Sequence, residues 1–553
     1  MRVFFSWYVL LIIISVLLLS CSAKTDDNSS ESSDNSSSSS SEDISISSSP
    51  SGTSSNNTTV ALGQKFEYQV ITTGTYSGTI TYSLSNHPEG MTISSTGLIE
   101  WTPTESEQIK TYSNITITIT TASGYVFTQT FDLNVITASY ATNIAVGAGF
   151  NCAMLDNGTV KCFGWNDSGQ LGIDNDTQMG DDTGEMALLT GINLGTGRTA
   201  TAISAGGYHA CALLDNGSVK CWGGNGYGQL GIDNTTTMGD DSGEMAQLTG
   251  INLGTGRTAT AISAGYDHTC ALLDNGAVKC WGLNSSGQLG LDNRTNMGDD
   301  SGEMAQLTGI NLGTGRTATA IDAGGWHTCA VLDDGSSKCW GDNNNGKLGI
   351  NNTTDMGDNS GEMDSLSSIN LGTGRTATVI SAGNSHTCAV LDNGVVKCWG
   401  RNHYGQLGID NTTDMGDGSG EMDLLTGINL GTGRTAKSIS VGTDITCALL
   451  DDASVKCWGL NSYGQLGIGN NTGNNLRIGD DSGEMAQLTG INLGTGRTAT
   501  AISAGGFSVC AKLDNSSVKC WGDNSRGRLG IDNTTTMGDD SGEMGDNLPS
   551  VKL

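Results

Sequence analysis

The amino-acid sequence predicts an all-β protein, a seven-bladed β-propeller preceded by a small β-sandwich. The first observation is composition: among 553 residues there are 81 Gly, and only 5% are aromatic and 15% charged. This mixture suits a turn-rich β protein better than a helical one. The second is a unit of about 59 residues that recurs seven times. The third is a hairpin signal inside each unit, two short alternating runs around Asp-Asn-Gly or a close variant of it.

Residues 1–21 form a candidate signal peptide and lipobox. One Arg precedes an apolar run that ends in Leu-Leu-Ser and Cys21. The pattern resembles a bacterial lipoprotein signal, which implies that Cys21 is lipidated and becomes the first mature residue. The alternative is an uncleaved membrane helix, because the run is nearly long enough to span a bilayer. Ser22 rather than Asp follows the Cys, which in lipoproteins implies the outer membrane or cell surface of a Gram-negative-type bacterium.

Residues 22–57 are dominated by Ser, Asn, Asp and Glu. Such a segment cannot bury enough apolar surface to offset the entropy lost on ordering, so we expect a disordered tether. A flexible chain of this length reaches roughly 30–36 Å. The tether is therefore predicted to be a spacer between a lipid anchor and the folded domains.

Residues 58–138 contain β-branched and alternating runs separated by Gly, Ser and Asn. These runs predict an antiparallel β-sandwich. The stretch PEGMTISSTGLIEWTP, residues 88–103, resembles bacterial immunoglobulin-like and cadherin-like modules. The acidic calcium motifs of true cadherins are not evident in the sequence, so the resemblance implies a spacer domain.

Residues 139–553 hold the seven units. The first Cys of successive units are 59 residues apart five times and 63 apart before the last unit. In unit 2, the runs TATAIS, CALL, VKCWG and LTGINL are expected to supply the four strands of one blade. The two ends of the region together make about one repeat junction. We therefore expect the ring to close between the first and last units.

The hairpin CALLDNGSVKC, residues 211–221, sets the arrangement of the cysteines. With a three-residue loop over 215–217 and a left-handed Gly217, Cys211 faces Cys221 within disulfide range. This Gly is missing in the last two units, for which we expect a weaker or altered turn. A zinc site needs more ligands than the two thiols of one hairpin. Buried reduced thiols do not explain why both members recur in all seven units.

Apart from Cys21, the chain has 14 Cys, enough for seven pairs. An oxidising compartment outside the cytoplasm permits disulfides between them. The predicted disulfides are Cys152–Cys162, Cys211–Cys221, Cys270–Cys280, Cys329–Cys339, Cys388–Cys398, Cys447–Cys457 and Cys510–Cys520.

The stretch AGGYHACALLDNGSVKCWGGNGYGQLG, residues 205–231, resembles the repeat of the regulator of chromosome condensation family. Its Ala-Gly, His, Asp-Gly, Trp-Gly and Gly-Gln-Leu-Gly positions recur over roughly three quarters of the chain. The resemblance implies a seven-bladed propeller, but not an activity, because one fold hosts many functions. No residues align with the contacts by which the eukaryotic exchange factor engages its GTPase, so exchange activity is the less favoured function.

The recurring polar residues point to structure rather than catalysis. His209, His268, His327 and His386 each stand two residues before a Cys, where other units have Phe, Ile or Ser, so we expect structural hydrogen bonds. The GTGR segments are expected to be turns, and the Trp of the Trp-Gly pairs to pack between blades. No nucleophile–base pair supports an enzyme. We therefore predict a non-enzymatic protein without metal or cofactor.

The acidic loops, such as residues 174–185, offer carboxylates and carbonyls that suit Ca²⁺. Their spacing is not that of an EF-hand, so the favoured interpretation is a solvated loop in which Glu185 pairs with a GTGR arginine. The net charge of −31 excludes nucleic acid as an expected partner, because phosphate binding needs Lys and Arg.

The positions that differ between units are the candidates for specificity. They follow Ala-Gly or Trp-Gly, so each set should collect on one face of a propeller, and aromatic and Arg residues there are typical of protein-binding surfaces. The alternative is drift at exposed loop tips. The candidate residues are Phe150, Tyr208, Tyr266, Trp326, Phe507, Tyr227, Arg401, His403, Tyr404, Tyr463 and Arg526.

The sequence thus favours a monomeric, surface-displayed lipoprotein whose propeller loops bind a protein or another extracellular macromolecule. The membrane is engaged only through the lipid. The alternative is a propeller that inhibits or regulates an enzyme, like the family members that inhibit β-lactamase.

Overall fold

The computed structural model describes residues 43–48, 57–62, 65–76, 78–136 and 139–553. The chain divides between Ala138 and Ser139 into two compact domains. The predicted signal segment, the lipidation of Cys21 and most of the tether lie outside the described residues. Within the described ranges, no helix is long and apolar enough to cross a membrane.

The N-terminal domain is built of short strands around one apolar core. The strands among its described residues are Asp43–Ile46, Asn57–Ala61, Phe66–Gln69, Thr72–Thr75, Ile80–Ser85, Thr92–Ile93, Leu98–Trp101, Thr111–Thr121 and Val126–Ile136, with a 3₁₀ turn at Ser106–Gln108. They form sheets of four, three and two strands, and Asn57–Ala61 pairs in parallel with Val126–Ile136. In the long strand Thr111–Thr121, fully buried Ile alternates with half-buried Thr, so that one face packs against the core.

The prediction that residues 22–57 are a disordered tether is wrong at Asp43–Ile46. This segment is a β-strand that pairs antiparallel with Thr72–Thr75. Its sequence, Asp-Ile-Ser-Ile, has the period of two that suits a strand with one covered face. The Ser-rich surroundings concealed that signal in the composition.

Each propeller blade is an antiparallel sheet whose strands pair in chain order. The first strands are Ala141–Val146, Ala200–Ala205, Ala259–Ala264, Ala318–Ala323, Ala377–Ala382, Ala436–Val441 and Ala499–Ala504. The second strands are Phe150–Leu155, His209–Leu214, His268–Leu273, His327–Leu332, His386–Leu391, Ile445–Leu450 and Ser508–Leu513. The third strands are Val160–Gly164, Val219–Gly223, Val278–Gly282, Ser337–Gly341, Val396–Gly400, Val455–Leu460 and Val518–Gly522.

The first strands stand side by side around a central channel of about 250 Å³. The ring closes between blade 7 and blade 1, as the sequence predicts. The Val146 N–H donates to Ser503 Oγ (3.1 Å), and the Gly506 N–H donates to the Gly147 carbonyl (3.1 Å). These are the same kinds of contact that join the other neighbouring blades.

The LTGINL segments were expected to be fourth strands, and they are not. Over 248–253 the chain is irregular, and a single backbone hydrogen bond, from the Ile251 N–H to the Val219 carbonyl (2.9 Å), joins it to the third strand. Its apolar side chains are nevertheless buried, and this one-sided packing produces the alternation that suggested a strand. In the fourth position most blades have a single bridge, such as Gly223 with Met238, and blade 6 has the short strand Arg477–Ile478.

The remaining regular elements are single turns of helix between blades. The α-helical turns are Glu185–Leu188, Glu244–Gln247, Glu303–Gln306, Glu362–Ser365, Glu421–Leu424 and Glu484–Gln487. The 3₁₀ turns are Asn344–Gly346, Gly473–Leu476 and Gly545–Asn547.

The hairpin register agrees with the sequence prediction. Cys211 is opposite Cys221, and Gly217 adopts φ +76° in the three-residue loop. All seven predicted disulfides are present, with Cα–Cα distances of 4.0–4.1 Å. The expectation of an altered turn in the last two blades is wrong. Ala453 (φ +66°) and Ser516 (φ +67°) take the same left-handed conformation despite its cost to a residue with a Cβ atom, because the paired strands fix the turn.

The Trp of each Trp-Gly pair packs between blades, as predicted. Trp222 Nε1 donates to the Gln170 carbonyl of the preceding blade (3.0 Å), and the indole is fully buried. In blade 1 Phe163 fills this position and is also fully buried. The other indoles in this position are Trp281, Trp340, Trp399, Trp458 and Trp521.

Candidate protein-interaction face

Two loops of every blade meet at one end of the propeller. The inner loop joins the first and second strands, and the outer loop follows the third strand. The first residue of the outer loop donates its N–H to the carbonyl of the last inner-loop residue, as Gly224 does to Tyr208 (2.8 Å) and Asp523 to Phe507 (3.0 Å). Both sets of variable positions therefore lie on one face, which we call the variable face.

A row of rings crosses the variable face from blade 7 to blade 3. The guanidinium carbon of Arg526 lies 5.2 Å from the centre of the Trp165 ring. Trp165 is 5.4 Å from Tyr208, and Tyr208 is 5.7 Å from Tyr266, both edge to face. Such geometry is favourable beyond the apolar area it buries. We call these four side chains the aromatic row.

Two smaller clusters lie elsewhere on the same face. Tyr463 contacts Phe507, with ring centres 5.4 Å apart. Arg401 stands over Tyr404 at 5.4 Å, and the His403 ring meets Tyr404 at 5.3 Å.

Three of the predicted aromatic residues are strongly exposed. The exposed fractions are 42% for Tyr227, 36% for Trp326 and 43% for Tyr463. Large rings held at a surface in loops between paired strands are typical of contact residues in protein interfaces.

One predicted contact residue is wrong, and one was missed. Phe150 is fully buried, because it occupies the position that His209 has in blade 2 and its side chain fills the core. Trp165 was missed, although it stands directly after the Phe-Gly of blade 1, at a position that differs in most blades. The variability of that position was the signal.

Two half-buried carboxylates occupy the same inner-loop position in blades 3 and 6. Burial raises the pKa of Asp267 to about 6. Burial also raises the pKa of Asp444, and the electrostatic interactions with Arg401 and His403 oppose that rise. Arg401 Nη1 lies 3.7 Å from Asp444.

The central channel is lined mainly by Gly, Ala and Ser, and in blade 4 the first strand contributes Asp322 in place of a Ser. In most blades a first-strand Ser accepts the backbone N–H of the next blade, as Ser204 does from Ala264 (2.9 Å). In blade 4 Asp322 takes this place and accepts the Ala382 N–H (2.8 Å) and the Ser263 hydroxyl (3.0 Å). Burial raises the pKa of Asp322 to about 6.

The four histidines lie in seams between blades. His209 Nε2 is 2.7 Å from the Thr269 hydroxyl of the next blade, and the other three bond the equivalent Thr at 2.8–2.9 Å. All four rings are fully buried, and burial lowers the pKa of His209 to about 3. Where blade 6 has Ile445 instead of His, the next blade has Val509 instead of Thr. The sequence prediction of structural hydrogen bonds agrees with this arrangement.

The acidic loops are organised by their own backbone. Glu185 Oε2 accepts the N–H groups of Gly180 (2.9 Å) and Asp182 (3.0 Å), so the predicted pair with a GTGR arginine is wrong. Arg198 instead lies 3.2 Å from Asp215 of the hairpin turn. Over the residues that the structure describes, no group of three or more His, Cys, Asp or Glu side chains is placed to hold a metal ion.

Comparison with protein families matches both domains. Residues 126–478 match the RCC1-like domain, residues 499–528 match the Regulator of chromosome condensation (RCC1) repeat, and residues 27–136 match the model called Putative Ig domain. The first match covers well over half of the chain.

Relatives share the propeller at low identity. The Ultraviolet-B receptor UVR8 of Arabidopsis thaliana is 27% identical over 70% of this chain and 78% of its own length. The probable E3 ubiquitin-protein ligase HERC6 of Homo sapiens is 30% identical over 49% of this chain, which spans only 24% of that protein.

Solved structures show the same fold. Yeast RCC1 (Prp20), solved with bound Kap60, has a TM-score of 0.53 at 17% identity, covering 75% of this chain and 85% of that one. Human WBSCR16 has a TM-score of 0.52 at 18% identity, covering 68% and 87%. By the match of the RCC1-like domain over residues 126–478, this chain belongs to the RCC1-like propeller family.

Proposed function

We propose that this chain is a non-enzymatic binding protein whose variable face binds a protein partner, and that a lipid on Cys21 holds it at the outer membrane or cell surface. The aromatic row is the observation that carries the binding function. It presents one arginine and three rings from four blades as a continuous surface on a rigid scaffold. Interfaces concentrate their binding energy in such residues.

The family supports binding rather than catalysis. Yeast RCC1 has been solved with bound Kap60, and Prp20p of Saccharomyces cerevisiae is described with binding to Gsp1p and histones. Within this chain, four of the six histidines, the side chains best suited to acid–base chemistry, are each engaged in a seam between blades.

The disulfides support the location. Seven disulfides of a propeller persist in an oxidising compartment and are rare in the cytoplasm. A lipoprotein signal that ends at Cys21 would deliver the chain to such a compartment.

Replacing the three rings of the aromatic row is expected to abolish partner capture. Full-length chain is immobilised and exposed to secreted and periplasmic proteins, and each captured protein is then titrated against the variant with Trp165, Tyr208 and Tyr266 changed to Ala. We expect affinity to fall at least about tenfold, because the rings supply buried apolar area at the contact.

The matched control changes Leu188 and Leu424, which are 72% and 76% exposed on helical turns, to Ala. This control should bind as the unchanged chain does, and both variants should melt near the same temperature. A partner that binds the triple variant as tightly as the unchanged chain contradicts the proposed face. Capture of an enzyme that loses activity would identify the partner as an inhibited enzyme.

Changing Cys21 to Ala is expected to abolish lipid labelling. When the full chain is expressed in a Gram-negative host with radioactive palmitate, the unchanged chain should carry label in the outer-membrane fraction. Ser22→Ala is the control that keeps the label, and Ser22→Asp should move the labelled chain to the inner membrane. Equal labelling of the Cys21→Ala chain contradicts the proposed anchor.

A further inference from the structure

We propose that the variable face binds a guanidinium group of the protein partner beside Asp267, at the place that Arg401 takes beside Asp444. This inference rests on the proposed function, because it names the chemistry of one contact on the same face. Asp267 and Asp444 hold the same inner-loop position, but of the two only Asp444 has an arginine beside it.

The site around Asp444 is complete. Arg401 of the preceding blade places Nη1 3.7 Å from the carboxylate and its guanidinium carbon 5.4 Å from the Tyr404 ring. Gln406 Nε2 donates to Asp444 Oδ1 (3.3 Å), and Gln406 Oε1 accepts the Tyr404 N–H (2.9 Å). The arginine is therefore held by one carboxylate and one ring, two groups that recognise guanidinium.

The site around Asp267 repeats this arrangement without the arginine. Gln229 Nε2 donates to Asp267 Oδ1 (3.4 Å), and Gln229 Oε1 accepts the Tyr227 N–H (2.9 Å). The residue that corresponds to Arg401 is Gly224, and the residue that corresponds to His403 is Gly226. Among the described residues, no Lys, Arg or His forms an ion pair with Asp267.

Gly226 leaves room for a side chain from outside, and Tyr208 borders the site at Gly224. A Cβ atom on Gly226 would meet nothing within 4 Å, and one on Gly224 would approach Tyr208 Cβ to 3.2 Å. Tyr227, which corresponds to Tyr404, is 42% exposed. The hydrogen bonds of Gln229 to Asp267 and Tyr227 thus repeat those of blade 6, and the space beside Gly226 is open.

Electrostatics favours a cation at this place. Burial raises the pKa of Asp267 to about 6 with no positive charge opposing it, whereas Arg401 and His403 oppose the rise at Asp444. The groups nearest to Asp267 in the chain, Tyr266 and His268, offer it no positive charge at neutral pH, and burial lowers the pKa of His268 to about 4. A bound guanidinium would compensate the carboxylate, and the net charge of −31 attracts a basic partner.

The test follows binding of N-acetyl-arginine amide to the full chain, with ring-labelled tyrosine observed by NMR. We expect the Tyr227 resonance to shift on titration. The neutral isostere N-acetyl-citrulline amide should leave it unchanged, because it cannot pair with Asp267. Equal shifts with both compounds would overturn the proposal.

Variants locate the site. Asp267→Asn, which keeps the size of the side chain, should weaken binding at least about tenfold, and Gly224→Arg should abolish it by filling the site from within. Arg401→Gly should open a second site beside Asp444 and shift the Tyr404 resonance. Unchanged binding by both Asp267→Asn and Gly224→Arg, with unchanged melting temperatures, would overturn the proposal.

A peptide distinguishes a partner's side chain from a free small ligand. Gly-Ser-Gly-Arg-Gly-Ser-Gly should bind at least as tightly as the blocked amino acid, and the same peptide with Gln should not bind. Binding of the blocked amino acid but not of the peptide would overturn the assignment to a protein. Suppose that a captured partner binds the Gly224→Arg chain as tightly as the unchanged chain and fails to bind the variant with Trp165, Tyr208 and Tyr266 changed to Ala. That result would refute this inference and leave the proposed function standing.

Discussion

Reduction of all seven disulfides is expected to unfold the propeller at room temperature. Each disulfide closes a loop of about ten residues, which removes about 2.7 kcal/mol of chain entropy from the unfolded state at 25 °C. Seven such constraints amount to about 19 kcal/mol, more than the roughly 5–15 kcal/mol of net stability that a domain usually has. The chain that contains only free thiols should therefore not hold the propeller.

The native protein should nevertheless resist reductant. The paired cysteines are at most 1% exposed, so a thiolate reaches them only after a blade opens. We expect few free thiols in native protein treated with dithiothreitol, and nearly fourteen once denaturant is added. Dilution of the reduced chain from denaturant should leave the emission of the buried tryptophans shifted to the red.

A single pair supplies the control. Changing Cys270 and Cys280 to Ala should lower the free energy of unfolding by about 3 kcal/mol and keep the ring closed, because six constraints remain. A fully reduced chain that still melts cooperatively with the native tryptophan emission would contradict this prediction.

Acid is expected to destabilise the propeller between about pH 6.5 and pH 4. The ordinary pKa of the histidines is 6.5, and burial in the folded protein lowers the pKa of His268 to about 4 and of His386 to about 3. As the pH falls, the histidines of the unfolded chain therefore bind protons before those of the folded protein do. Because this favours unfolding, the stability that is fully present above the ordinary pKa is lost. At pH 5 each buried histidine lowers the free energy of unfolding by about 2 kcal/mol relative to pH 8, which makes about 8 kcal/mol for the four.

Two carboxyl groups act in the opposite direction. The pKa of Asp267 and that of Asp322 are raised to about 6, so the folded protein takes up these protons before the unfolded chain does. At pH 5 these two carboxyl groups raise the free energy of unfolding by roughly 3 kcal/mol relative to pH 8. The expected net loss in the free energy of unfolding is therefore about 5 kcal/mol. Denaturant unfolding at pH 8 and pH 5, at constant ionic strength, measures this difference.

The seam between blades 6 and 7 suggests the matched variant. Changing His268 to Ile and Thr328 to Val reproduces the Ile445–Val509 pair and removes one titrating ring. The loss of stability from pH 8 to pH 5 should then shrink by about 2 kcal/mol. An unchanged loss in this variant would show that the seam histidines do not set the acid sensitivity.

Local features of the chain were predicted well. The hairpin around Gly217 has a period of two, a turn of fixed length and two Cys ten residues apart, and all three depend on neighbours in sequence. The sevenfold repeat then implied the closed ring. The prediction of a fourth strand failed in LTGINL because one-sided packing alone also produces an alternation of apolar residues. The prediction of an altered turn failed at Ala453 because the paired strands impose a turn conformation that this residue disfavours.

The sequence could not supply which polar residues meet which partners between blades. His268 meets Thr328 and Arg401 meets Asp444 across about 40 to 60 residues of chain, and each contact depends on how one blade is rotated against the next. The burial of Phe150 was hidden for the same reason.

The sequence by itself determined the repeat, the blade hairpins and their disulfides, because these rest on short-range register. Only the tertiary structure decided which variable side chains meet on the face and which carboxylate there has no cation, because the packing of neighbouring blades sets both.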